Sequence, residues 1–189
     1  MKTDFKPSRL DIQAFADAAG HLEGTTPLLD LERLHDLLRP DASAAADGLA
    51  HWNLRGEVRK PRSGPAQVWL NVSARASVPL ECQRCLGTVS TPLIFDRWYR
   101  FADTEDEAAA LDEQEDDDVL VTSRHFDAIG LVEDEILLDL PVVPKHEGDC
   151  PEPLPMPTAD LAADEAAVDE TPHPFAQLAG LRSVAKKSS

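Results

Sequence analysis

The sequence predicts an α+β fold in which an antiparallel β-sheet, or a small barrel, is covered by packed helices. Three observations lead to this prediction. The first forty residues carry apolar side chains at helical spacing, residues 51–101 alternate between apolar and polar side chains as strands do, and residues 127–140 return to a helical pattern. The 189 residues suffice for one domain with tails. We therefore assign residues 1–150 to a single α+β domain.

The N-terminal part of this domain, residues 8–40, is predicted to be helical. One candidate helix runs from Asp11 to Ala19 and a second from Asp30 to Arg39. Four leucines form one apolar stripe on the second helix: Leu31, Leu34, Leu37 and Leu38. Asp30 is suited to cap the start of that helix. The small and polar residues 41–48 are predicted to form a loop.

Residues 51–101 are predicted to form a basic β-meander. The clearest strand runs from Val68 to Leu80, where every second residue is apolar. An alternating segment precedes it across a turn rich in proline, which predicts a hairpin. A third strand follows at residues 89–101, with Arg97 as the exception on its apolar face. Such a sheet needs helices, or closure into a barrel, to cover its apolar side.

Acidic stretches interrupt and follow the domain. Residues 103–118 contain ten acids in sixteen positions and are predicted to be a solvated loop outside the core. Residues 151–171 are rich in Pro, Ala, Asp and Glu, a composition typical of a disordered acidic linker. Residues 172–189 then form a short amphipathic C-terminal docking segment, since three apolar residues recur at helical spacing: Phe175, Leu178 and Leu181.

Between the acidic stretches, the sequence predicts a short strand and a helix. The strand covers Val119 to Thr122, and Asp127 is suited to cap a helix that ends at Asp139 or Leu140, before a proline. Three consecutive acids lie on this helix: Glu133, Asp134 and Glu135. We interpret them as helix surface, since nothing in the sequence fixes them in a pocket.

Charge is distributed very unevenly along the chain. The net charge is −17, from 18 basic and 35 acidic residues. Residues 51–101 nevertheless hold eight basic and three acidic residues, a net charge of +5, so the remainder carries −22. Cations on strands, interleaved with Trp and Tyr, favour an RNA-contacting surface. The candidate contacts are Arg55, Arg59, Lys60, Arg62, Arg75 and Arg84. The alternative is the polar face of a half-exposed sheet.

The three cysteines suggest a metal site more than a disulfide. No apolar run of signal-peptide or membrane-span length is present, so we expect a cytoplasmic protein, in which thiols stay reduced. Cys82 and Cys85 form a C-x-x-C, and His146 with Cys150 would complete a tetrahedral structural zinc site. The alternative is free thiols in a turn.

Enzyme signatures are absent from the sequence. It contains no phosphate-binding loop, no dinucleotide-binding glycine pattern, no G-x-S-x-G and no H-E-x-x-H. We therefore expect a protein that is not an enzyme.

Three blocks of the sequence resemble the bacterial YceD family, the large ribosomal RNA subunit accumulation proteins. They are Leu80–Leu86 around the C-x-x-C, Leu131–His146 with Cys150, and Pro174–Leu178. The resemblance implies a cytoplasmic role in the synthesis, processing or stability of 23S ribosomal RNA, without a known enzymatic reaction. It supplies neither a metal nor RNA-contacting residues.

These inferences lead to a non-catalytic ribosome-biogenesis factor. Its expected partners are 23S ribosomal RNA or its precursor, ribosomal proteins or assembly factors, while the acidic segments limit indiscriminate RNA binding. The alternative is an adaptor that binds a ribosomal protein or assembly factor and has no direct RNA contact. Its candidate docking residues are Leu137, Leu138, Phe175, Leu178 and Leu181.

Overall fold

The computed structural model describes residues 5–39, 48–62, 64–113 and 118–152 of the chain. These residues belong to one compact unit, Met1–Leu154. The predicted C-terminal docking segment and nearly all of the predicted linker and of the loop at 41–48 lie outside the described residues. Among the described helices, none is long and apolar enough to cross a membrane.

A five-stranded sheet forms the centre of the fold, which confirms the α+β prediction. In spatial order its strands are β1 (His21–Pro27), β2 (Leu49–Arg59), β3 (Gln67–Glu81), β4 (Thr88–Ala102) and β5 (Asp118–Val121). β1 to β4 are antiparallel neighbours, as predicted, whereas β5 runs parallel to β4. The sheet is therefore mixed, and with β1 and β5 at its edges the described strands do not close into a barrel.

The N-terminal part is only partly helical. α1 (Ile12–Asp17) begins at Asp11, whose carboxylate accepts a hydrogen bond of 3.0 Å from the Ala14 N–H. The predicted second helix is wrong in extent: α2 covers only Glu32–His35, after a 3₁₀ turn at Leu28–Asp30, and Asp30 does not cap it. The sequence also gave little sign of β1, which alternates between exposed and half-buried side chains rather than between polar and apolar ones.

The acidic stretch after β4 is a helix where we predicted a loop. α3 (Glu105–Asp112) begins at Thr104, whose hydroxyl accepts from the Glu107 N–H at 3.2 Å. Acids in the first turn favour a helix N-terminus, and the three alanines that follow are strong helix formers. Ala108 is buried, so the segment does contribute to the core. α3 also provides the crossover that lets β5 run parallel to β4.

α1 and α4 cover the apolar face of the sheet. α4 (Ala128–Asp139) begins as predicted at Asp127, whose carboxylate accepts from the N–H groups of Ile129 and Gly130. α1 packs closely on β2 because Gly56 has no side chain: a Cβ there would lie 2.7 Å from Phe15. The fully buried side chains include Leu10, Ile12, Phe15, Leu54, Leu70, Val72, Val78, Val132 and Ile136.

Candidate metal centre and open sheet face

The turn between β3 and β4 places Cys82 and Cys85 together. The Cys82 N–H donates to the Gly87 carbonyl, and the Leu86 N–H donates back to the Cys82 carbonyl, both at 2.8 Å. Leu86 has a φ of 60°, the left-handed conformation that lets so short a turn close. Cys82 is fully buried and Cys85 is half-buried.

The segment after α4, residues 141–152, lies across this turn, and we call it the strap. The Gln83 N–H donates to the Pro144 carbonyl at 2.9 Å. The Arg84 guanidinium donates to two further strap carbonyls, that of His146 at 2.9 Å and that of Gly148. These contacts bring His146 and Cys150 to the cysteine turn from more than sixty residues away in sequence.

The structure thus assembles the four residues predicted as metal ligands. Their ligating atoms all lie within 4.8 Å of one another. The Sγ atoms of Cys82 and Cys150 are 3.9 Å apart, and Cys85 Sγ lies 3.6 Å from His146 Nδ1. Tetrahedral zinc, with bonds of about 2.3 Å to sulfur and about 2.0 Å to nitrogen, separates its ligands by roughly 3.5–3.8 Å. The cluster therefore fits a metal ion of this kind.

Surrounding groups orient the His146 ring and favour the thiolate form of Cys82, and both effects favour binding of a cation. His146 Nε2 lies 3.1 Å from the Thr88 carbonyl oxygen, a contact that leaves Nδ1 as the ligating nitrogen. Burial alone would raise the pKa of the Cys82 thiol, but hydrogen bonds from the backbone N–H groups of Arg84, Cys85 and His146 lower it to about 5. The thiolate is the form of cysteine that binds metals. Burial and the neighbouring thiols raise the pKa of Cys150.

The face of the sheet opposite the core carries two tryptophans, and we call it the open face because Arg55 and Arg75 are exposed on it. The Arg59 guanidinium lies 4.1 Å from the Trp69 ring centroid and 4.2 Å from that of Trp98. Arg55 lies 5.5 Å from the Trp98 ring, and Arg59 also pairs with Glu57. The chain's own cations therefore occupy faces of the tryptophan rings that we expected to be part of an RNA-contacting surface.

The six predicted RNA-contacting residues fall into three places. Four of them lie near the β2–β3 turn and form what we call the basic hairpin: Arg55, Arg59, Lys60 and Arg62. Arg75 lies further along the open face, beside a groove of about 740 Å³ that Asn53 and Asp96 also line. Arg84 lies instead in the cysteine turn between β3 and β4 and donates to the strap.

Two aromatic residues of the basic meander lie on the core side of the sheet. Trp52 covers Gly24 and donates from Nε1 to the Thr26 hydroxyl at 2.9 Å. Tyr99 is buried, and its hydroxyl donates to Glu135. Burial, together with this carboxylate, raises the pKa of Tyr99. Neither ring is available to RNA on the open face.

The acids of α4 were misinterpreted as helix surface, because two of them are buried. Glu133 accepts from the backbone N–H groups of Arg33 at 2.7 Å and Leu34 at 3.1 Å, and so caps α2 from another element. Burial would raise its pKa, but these bonds and the Arg33 guanidinium lower it. Asp134 is more exposed and pairs with Arg33.

Glu135 explains the one basic residue on the apolar face of β4. Arg97 Nε lies 2.9 Å from Glu135, and its Nη2 donates to Asp139 at 2.8 Å. Two acids four residues apart on α4, Glu135 and Asp139, were the available sequence signal for a basic partner on the covered face. Of the predicted docking residues nearby, Leu138 is 72% exposed, whereas Leu137 is half-buried against the core.

Comparisons with known proteins agree with the resemblance. A family model described as "Large ribosomal RNA subunit accumulation protein YceD" matches residues 70–182. A Haemophilus influenzae protein of that name is 34% identical over 106 residues, which are 56% of this chain and 60% of the relative. The match thus spans less than two thirds of that relative. No solved structure matches the chain.

Proposed function

Because this chain belongs to the YceD family of large ribosomal RNA subunit accumulation proteins, we propose that it supports 23S ribosomal RNA as a non-catalytic ribosome-biogenesis factor. Family membership carries this proposal. The role would be exerted in the cytoplasm, on the synthesis, processing or stability of that RNA. In the described part of the chain, the thiols with shifted pKa values belong to a set of three sulfurs and one nitrogen of the kind that structural zinc sites use, which supports a non-catalytic role.

The basic hairpin is the surface that we propose contacts the RNA. Lys60 and Arg62 are exposed at its turn, and Arg55 is exposed on the adjoining strand. Arg59 is held between Trp69 and Trp98, so this part of the surface offers a fixed cation to a phosphate and does not offer a free tryptophan ring to a base. Phosphates are the natural partners of such a cluster, while the acidic remainder of the chain weakens non-specific attachment.

Salt-dependent binding tests this surface. The full chain should bind a large-subunit RNA fragment with an affinity that falls steeply with salt, and K60E/R62E should reduce the slope of log K against log salt by roughly 1.5 to 2. R124E is the matched control, since Arg124 is an exposed cation outside the hairpin. Equal slopes for the wild type and both variants would refute the assignment. Cleavage of precursor RNA by the purified chain would refute the non-catalytic role.

We also propose that Cys82, Cys85, His146 and Cys150 hold a structural zinc ion. The cluster supplies a closed set of three sulfurs and one nitrogen, as structural rather than catalytic zinc sites do. Bound zinc would supply no reactivity there and would fix the strap to the β3–β4 turn. Protein purified without chelator should contain near one equivalent of zinc, and C150S should contain far less. Zinc-free wild-type protein would contradict the proposal.

The adaptor function remains a second candidate, because Leu138 is exposed on α4. An acidic chain favours basic partners such as ribosomal proteins. Crosslinking in cells, followed by nuclease treatment and pull-down, separates the two: an adaptor keeps its protein partners without RNA, and an RNA-contacting factor carries crosslinked 23S fragments.

A further inference from the structure

One edge of β4 is paired along only part of its length. β4 has fifteen residues, and β3 pairs with it from Thr88 to Phe101. On the other side β5 pairs only with Tyr99–Ala102. Within the described part of the chain, no strand pairs with residues 88–98 on that side.

The backbone groups that point to this edge can be identified. The Ala102 carbonyl accepts from the Thr122 N–H, just beyond β5, and the Thr88 carbonyl faces His146 of the strap. Backbone groups of alternate strand residues point to the same edge. The even-numbered residues between these two therefore direct their carbonyls to the same edge, and the first four lie before the segment that β5 pairs with. All of these four except the proline also direct an N–H there: Ser90, Pro92, Ile94 and Asp96.

A groove of about 660 Å³ lies along this edge. Four consecutive β4 residues, 89–92, line it on one side and the strap lines it on the other. Consecutive strand residues point to opposite faces, so a groove that touches all four must lie beside the strand. Its apolar lining includes Val89, Pro92 and Val143. Ile94 lies further along the strand, on the same sheet face as Pro92, and is 80% exposed.

The charged groups around the groove are mostly acidic. Glu147 and Asp149 line it with one cation, Lys145, and Asp96 is exposed further along the strand. Arg97 does not change this balance, because it faces α4 and pairs with Glu135 and Asp139. An occupant complementary to this edge is extended, partly apolar and basic.

We propose that the open edge of β4 binds an extended basic segment of a partner protein, which adds to the sheet as a strand beside the strap. Main-chain hydrogen bonds to Ser90, Ile94 and Asp96 would hold it, and alternate side chains would contact the apolar lining and the acidic rim. Residues 89–98 offer room for about ten residues, roughly 33 Å. This interaction goes beyond the RNA contact and does not depend on it, since it uses none of the basic hairpin.

Peptide binding to the full chain tests the proposal. The probe is a fluorescein-labelled peptide of five Lys-Val repeats, measured by fluorescence polarisation. I94P removes an outward N–H at a position where the β3 ladder does not need it, so we expect at least about tenfold weaker binding. I94V keeps both the N–H and a β-branched apolar side chain and is the matched control, with binding within about threefold of wild type. E147K should weaken binding several-fold.

Changes to the peptide keep the test decisive if I94P fails to fold. Methylation of alternate backbone nitrogens should abolish binding to wild-type protein, and a Glu-Val repeat should bind far more weakly. Equal binding of the Lys-Val peptide to wild type and folded I94P, or of the acidic and basic peptides to wild type, would overturn the proposal. So would a dimer in sedimentation that I94P abolishes, because the occupant would then be a second copy.

Discussion

Before one end of β3 the chain carries the exposed cations Lys60 and Arg62, whereas at the other end it turns through residues 82–87 and is fixed by several contacts. The basic hairpin is held mainly by contacts within β2, β3 and β4, such as Arg59 on Trp69 and Trp98. The cysteine turn is held by the strap, through backbone and side-chain contacts between residues more than sixty positions apart in sequence. One strand thus joins an end suited to contact with RNA to an end suited to stabilising the fold. Substitutions at the first end should weaken binding, and substitutions at the second should lower stability.

The largest effect should come from the metal end. Chelation of the wild type, or C82S, should lower the midpoint of thermal unfolding by roughly 10 °C or more, because the strap loses its attachment. Thermal unfolding followed by circular dichroism, with zinc content measured on the same samples, checks this. S73A is the control, since Ser73 lies on β3 outside the cluster. An unchanged midpoint of thermal unfolding after complete zinc removal would show that the cysteine turn contributes no more to stability than the basic hairpin.

The second effect concerns Glu133, which fixes α2 to α4 and lies at neither of the two ends of β3 compared above. E133Q should lower the free energy of unfolding by about 2–3 kcal/mol, since two backbone N–H groups lose a charged acceptor while Arg33 stays largely solvated. The pKa of Glu133 is lowered in the folded state, so its stabilisation is present above the unfolded pKa of about 4.3 and is lost as pH falls through the folded value. Urea unfolding between pH 3 and 7 should therefore show a shallower acid decline for E133Q, and parallel curves would contradict this.

A smaller effect is expected from the arginine between the tryptophans. R59A should cost about 1 kcal/mol of unfolding free energy, because a partly exposed cation–π stack is lost. Tryptophan emission should change with it, since two ring faces become accessible. R55A is the matched variant, because its guanidinium lies further from the Trp98 ring. A larger loss of unfolding free energy for R55A than for R59A would show that the stacking of Arg59 on the two tryptophans is not what orders the open face.

The smallest effect on stability should come from the exposed turn. K60E/R62E should change the free energy of unfolding by less than about 0.5 kcal/mol, since both side chains are exposed there. Urea titration of this variant beside R124E measures the difference. A loss above about 1 kcal/mol would show that the basic hairpin also supports the fold, and the contrast between the two ends would weaken.

The sequence predicted the elements whose signals are local. β3 was evident from thirteen residues of alternation, and α4 from its Asp127 cap and its apolar stripe. The four residues that cluster as candidate metal ligands were predicted from spacing, since C-x-x-C and H-x-x-x-C each place two candidate ligands in one short segment.

The errors have non-local causes. α2 is capped by Glu133 from a hundred residues away, which no local pattern around Asp30 reveals. β1 has one face lined by Leu22 and Gly24, and the Trp52 ring fills the space above Gly24. The assignment of Arg84 to the RNA surface rested on charge, and only the strap shows that this guanidinium has carbonyl partners.

The position of the strap in the chain also fixes the order in which the domain can be completed during translation. Cys82 leaves the ribosome 68 residues before Cys150, so at about 5–20 residues per second the C-x-x-C waits roughly 3–14 s for its last partner. In that interval β3 and β4 can pair, but only two of the four residues of the cluster are present at the turn between them. If the cluster binds zinc as proposed, the nascent chain gains this cross-link only after α4 has emerged, and attachment of the strap follows the pairing of β3 and β4.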